Sequence, residues 1–159
     1  MDSGPPQETP LSARGLRFAV VVSRFNAEIG NQLLAEALAC LKELGAEEDA
    51  LRVVRVPGAF EIPLAARLLC ERQDVDAVIA LGAIVRGQTA HHQHLGAEVI
   101  RALSSLSAET RVPVGLGVLT TETLEQARER SRAGSRDNRG RHAARAAVEM
   151  VHLVRKLRR

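Results

Sequence analysis

The sequence predicts an α/β fold, a parallel sheet covered by helices on both faces. Three observations predict it. Apolar runs of strand length recur along the chain, at residues 16–22, 51–56, 75–81 and 114–119. A segment with helical apolar spacing follows each of them. The run at 78–81 is apolar without interruption, as strands buried on two sides are. Strands that alternate with helices make parallel sheets with right-handed connections.

Each element has a local cause. Residues 16–22 (LRFAVVV) form the first strand. The helix over 30–44 sets Leu34, Leu38 and Leu41 on one face, and Gly45 stops it. Residues 51–56 (LRVVRV) alternate as a strand does until Pro57-Gly58 ends them. The helix over 61–70 aligns Ile62, Ala65 and Leu69, with Pro63 in the first turn, where a missing N–H is tolerated. The third strand, 75–81, runs into a glycine-bearing loop over 82–89 and then a helix over 89–106. Pro113 precedes the fourth strand. A short helix over 122–130 and a polar loop over 131–139 lead to the last helix, 140–157, with Ala144, Val148 and Val151 inward.

The 159 residues are 45% hydrophobic and 26% charged, enough for one domain with a sizeable core. Residues 15–159 read as that domain and residues 1–14, with Pro5, Pro6 and Pro10, as a flexible arm. No apolar stretch has membrane-spanning length, and the N-terminal residues lack the basic start and apolar core of a secretory signal. Cys40 and Cys70 sit singly in helical patterns and read as buried reduced thiols, which points to the cytoplasm. Basic residues crowd the region from Arg128 to Arg159. With no Trp or Tyr and only three Phe, however, platforms for stacking nucleic acid are missing, and these residues read as solvated charge.

In an open α/β sheet, ligands bind outside the carboxyl ends of the strands. Four loops are therefore candidates: 23–29, 57–61, 82–89 and 120–122. Phe25 and Phe60 fall in two of them, and an exposed ring offers a face for stacking. Gly58 permits close backbone approach. Glu61 serves either the helix dipole or the hydroxyls of a ligand. In the third loop Gly87, Gln88 and Thr89 can present N–H groups to phosphate, with Thr89 as the N-cap of the helix. His91 follows in the first turn, where the helix dipole favours the neutral, proton-accepting ring. His91, His94 and Glu98 have a spacing that can also hold a metal, although no further ligand cluster accompanies them. His92 and His94 read as surface histidines. Arg128, Arg130 and Arg132 are candidates to grip phosphate, at least two of them as ordinary solvated charge.

The motifs VVSRFN, VPGAFEIP, ALGAIVRGQTAH, PVGLGVLTTETLEQARER, NRG and AAVEM, in this order and spacing from about Gly15 onward, resemble the lumazine synthase family. The resemblance implies a flavodoxin-like three-layer α/β/α sandwich with a four-stranded parallel sheet. It implies homopentamers, or assemblies of pentamers, whose active sites are shared between neighbours, and riboflavin synthase as a possible partner. The implied reaction, in riboflavin biosynthesis, joins 5-amino-6-(D-ribitylamino)uracil to 3,4-dihydroxy-2-butanone 4-phosphate without metal or organic cofactor. By motif position, Phe25 stacks on the pyrimidine, and Ala59, Phe60 and Glu61 hold the ribityl chain. Ile84 and Val85 bind the uracil through their backbone. Gln88 and Thr89 bind phosphate together with Arg130 of a neighbour, and His91 moves protons.

The chain also departs from the pattern. The family usually follows its histidine with an aromatic, an acidic and another aromatic residue; here stand His92, Gln93 and His94. Leu116 occupies a place where many members carry a Phe over the substrate ring, giving apolar contact without stacking. The loop 131–140 is longer than in members that build icosahedral shells, so pentamers or paired pentamers are expected. These departures also define an alternative: a weakly active or inactive paralogue that binds flavin- or lumazine-like ligands or serves as an assembly protein.

Overall fold

A computed structural model describes residues 10–159. Its sheet has four parallel strands, β1 (Phe18–Ser23), β2 (Leu51–Val56), β3 (Ala77–Val85) and β4 (Val114–Thr121), in the order β2-β1-β3-β4. Five helices flank it: α1 (Ala27–Glu43), α2 (Ile62–Glu71), α3 (His91–Thr110), α4 (Leu124–Ser131) and α5 (Arg139–Leu157). The three-layer flavodoxin-like sandwich is therefore present.

Alternation along the central strands divides the core. Phe18, Val20 and Val22 join Ile79 and Leu81 in the layer shared with α1, α4 and α5. Ala19 and Val21 join Val78 and Ala80 in the layer shared with α2 and α3. Each fully buried aliphatic side chain in these layers, such as Leu33 or Ile62, contributes about 1.5–3 kcal/mol. Every residue of β1 is buried, as a strand between two helical layers requires.

Several boundaries differ from the sequence reading, each for a local reason. Helix α1 starts ahead of Gly30, which lies inside it; a Cβ there would meet Ser23 O at 3.1 Å and Val22 Cγ2 at 3.2 Å. The glycine permits the helix to press on β1. Strand β3 runs through Gly82 to Val85 where a loop was expected, because β4 pairs with it as far as Val85 opposite Thr121. Gly82 marks a close approach: a Cβ there would collide with the Ser23 hydroxyl. Helix α3 continues past Leu106 to Thr110 and ends at Arg111, whose φ of 61° breaks the helix. Gly45, with φ of 105°, stops α1 as expected.

Of the segment read as an arm, residues 1–9 lie outside the described residues. Beyond them Ala13 is fully buried, its N–H donating to Leu44 O at 2.8 Å, and Leu11 packs on the core. Cys40 and Cys70 are free and buried, and burial pushes both thiols up, away from the reactive thiolate. No helix among the described residues is long and apolar enough to cross a membrane.

Candidate active site

The carboxyl ends of β1 and β3 open on a cavity of about 520 Å³. Backbone bonds shape its first wall. Arg24 N donates to Val56 O at 2.8 Å and Phe25 N to Pro57 O at 3.1 Å, so the turn after β1 is laced to the end of β2. Asn26 then takes the left-handed conformation, with φ of 57°, which Asn tolerates better than most residues. Its Nδ2 donates to Ala83 O at 3.0 Å, which ties the turn to β3. Held this way, Phe25 presents its ring to the cavity and is 72% exposed.

The second wall comes from the 3-10 turn Ala59–Glu61. Ala59 lines the cavity, whereas Phe60 beside it is 75% exposed. Gly58 N donates to Glu61 Oε2 at 2.9 Å. One carboxylate oxygen thus braces the turn ahead of α2.

Ile84 and Val85 supply the floor, and Gly87, Thr89, His91, His92 and Leu95 the third wall. His91 is exposed at the first position of α3. Thr89 is not the N-cap; Ala90 holds that position. The Thr89 hydroxyl instead accepts from His91 N at 3.3 Å, a turn that orders the loop just ahead of the helix. Gln88 is exposed between Gly87 and Thr89.

His92 is not the surface residue expected from the sequence. Its side chain is 4% exposed, and its Nε2 lies 3.5 Å from Glu122 Oε1. Glu122 Oε2 accepts from Arg86 Nη1 at 2.9 Å. The Arg86 guanidinium, with His92 assisting, holds the Glu122 carboxyl below the usual carboxylate range. The signal was present in the sequence: His92, Gly96, Val99, Leu103 and Leu106 follow helical spacing and form the buried stripe of α3. His94 is exposed as expected, and Glu98 pairs with Arg101 at 2.8 Å. Asn26 and Leu95 are cavity residues that the sequence reading had not singled out.

Two expected site residues lie elsewhere. Leu116 lines a larger apolar groove between α3 and α5, of about 680 Å³, with Ile100, Met150 and Leu157. Arg130 is half-buried on α4 and donates from Nη1 to Gln126 O at 3.2 Å. Arg128 is engaged by Glu28 at 3.1 Å, and Arg132 is the exposed C-cap of α4.

An exposed imidazole, an aromatic face and strand-end backbone groups around one cavity define a flavodoxin-like α/β enzyme with its site at the carboxyl ends of the strands. The family model described as 6,7-dimethyl-8-ribityllumazine synthase matches residues 15–155. The chain belongs to the 6,7-dimethyl-8-ribityllumazine synthase family. It is 45% identical over 152 residues to the 6,7-dimethyl-8-ribityllumazine synthase of Aquifex aeolicus, covering 95% of this chain and 97% of that protein. It is 49% identical over 149 residues to the enzyme of the same name from Chlorobium phaeobacteroides, covering 93% and 95% of the two chains. The protein so named from Syntrophus aciditrophicus is 48% identical over 151 residues, covering 94% of this chain and 97% of its own.

Proposed function

We propose that this protein condenses 5-amino-6-(D-ribitylamino)uracil with 3,4-dihydroxy-2-butanone 4-phosphate to form 6,7-dimethyl-8-ribityllumazine. The amine attacks the ketone, water leaves and an imine forms. Phosphate is then eliminated, and the ring closes with loss of a second water. The observation that carries this reading is His91, an exposed imidazole sharing one cavity with Phe25 and with the loop residues Gly87 and Thr89.

In this reading His91 moves protons during imine formation and elimination. Phe25 stacks on the pyrimidine. The backbone of Ile84 and Val85 binds the uracil edge, and Ala59, Phe60 and Glu61 hold the ribityl chain. Gln88 and Thr89 bind phosphate. Within one chain Leu116 and Arg130 open away from the cavity, so an adjoining copy contributes them. That requirement supports a homopentamer, or paired pentamers, with shared sites. The protein works in the cytoplasm and hands its product to a riboflavin synthase.

The test is incubation of the purified protein with both substrates while lumazine absorbance and fluorescence are followed. Product formation is expected. No product at high protein concentration overturns the reading.

A further inference from the structure

His92 is buried, while His91, Gln93 and His94 around it are exposed. Its Nε2 faces Glu122 at 3.5 Å, and its buried Nδ1 has no hydrogen-bond partner among the described residues. A carboxylate opposite Nε2 is an acceptor for an N–H on that nitrogen. Glu122 turns its other oxygen to Arg86, at 2.9 Å. Two backbone contacts steady this carboxylate and the arginine: Glu122 N donates to Gln126 Oε1 at 2.9 Å, and Arg86 N donates to Thr121 O at 2.9 Å.

These contacts surround one segment. Arg86 is the first residue after β3, and His92 follows the first residue of α3. Both hold the same carboxylate. Residues 86–90 between them are exposed throughout, and around Gly87 a Cβ would meet only open space. This is the segment that brings Gly87 and Thr89 to the cavity and delivers the chain to His91.

We propose that His92 is a positioning residue. By sharing Glu122 with Arg86 it straps both ends of the 86–90 segment, and so sets where phosphate and His91 meet. The charged and titratable groups that face it are Glu122, from the β4–α4 connection, and Arg86 behind it, from the end of β3; His91 adjoins it on α3. Without the His92 ring nitrogen Glu122 answers to Arg86 alone, the strap slackens and phosphate binds less well. The inference rests on the proposed reaction for the identity of the phosphate ligand.

The test is steady-state kinetics of wild type, His92→Phe, Glu122→Gln and the double variant. His92→Phe keeps a planar ring in the slot and removes the ring nitrogen that faces Glu122. Each single variant is expected to raise KM for the butanone phosphate about two- to fivefold, the range a partly exposed charge pair supports, with kcat changed less. The double variant is expected to add nothing. Unchanged KM, or additive losses, overturn the proposal while leaving the reaction standing. Histidine-labelled NMR of the ligand-free protein is a separate readout: the His92 ring signals move in Glu122→Gln if the pair exists, and unmoved signals overturn it. If wild type makes no lumazine, the proposed reaction has failed on its own. Titration with inorganic phosphate then decides the strap, with weaker binding to His92→Phe supporting it and equal binding overturning it.

Discussion

In the proposed reaction His91 and Phe25 act by contrasting means. His91 is an exposed imidazole at the first position of α3, able to exchange protons with a bound ligand. His91→Ala is expected to lower kcat by about a hundredfold or more with stability unchanged, read from turnover and thermal melting together. Phe25 acts by surface. Its ring is exposed because the left-handed Asn26 turns the chain away beyond it. Phe25→Ala is expected to raise KM for the ribitylaminouracil about tenfold, through loss of stacking and contact area, while kcat falls less. Both stand out in the sequence by their place near strand ends: Phe25 in the loop after β1, and His91 opening the helix that follows the loop after β3. His92 does not, because its meaning depends on Glu122, which only the pairing of β3 with β4 brings beside it.

At the scale of elements, the join between α4 and α5 rests on Asn138. Its Oδ1 accepts from Gly140 N at 2.8 Å and Arg141 N at 3.1 Å, capping α5. Its Nδ2 donates to Ser131 O at 2.8 Å and Arg132 O at 3.2 Å, closing the end of α4. Asn138→Ala removes a cap and strands buried carbonyls, so a loss of about 2–3 kcal/mol is expected in urea unfolding. Gly140 permits the next contact: a Cβ there would run into the carbonyl of Leu33, where α5 crosses α1. Gly140→Ala is expected to cost about 1–3 kcal/mol as the helices are forced apart, measured the same way. Helical spacing alone located both helices and the polar stretch between them. It carried no information on the double role of Asn138, since a capping Asn and a loop Asn look the same in one dimension. The end of β3 was misread for a related reason: Gly82 resembles a loop signal until Ser23 is seen lying against it.

Over the whole molecule, acid sensitivity has a named source. Glu36 accepts from Gly134 N at 2.9 Å and Arg141 Nε at 3.0 Å, and these contacts hold its carboxyl below the usual carboxylate range. A carboxyl lowered by folding stabilises the fold above its unfolded pKa, and that contribution is lost as pH falls through the folded one. The urea midpoint is expected to fall as pH drops through and below the ordinary carboxylate range, and the fall is expected to be shallower in Glu36→Gln. Sedimentation is expected to give pentamers or paired pentamers; a megadalton particle would refute that expectation. The alternation of strands and helices was enough to predict layers and parallel pairing. The strand order could not be read that way, because it depends on which crossovers bury the two sides of β1. That order, β2-β1-β3-β4, has a consequence for synthesis. β1 is made before the other strands and ends up inside the sheet, with β3 on one side and β2 on the other. Its β3 edge stays unpaired until residues 77–81 have been translated, and β3 in turn waits for β4. A nascent chain therefore carries an apolar strand with an open edge while most of its partners are still missing, which exposes it to mispairing and aggregation until β4 and α5 emerge to close the core.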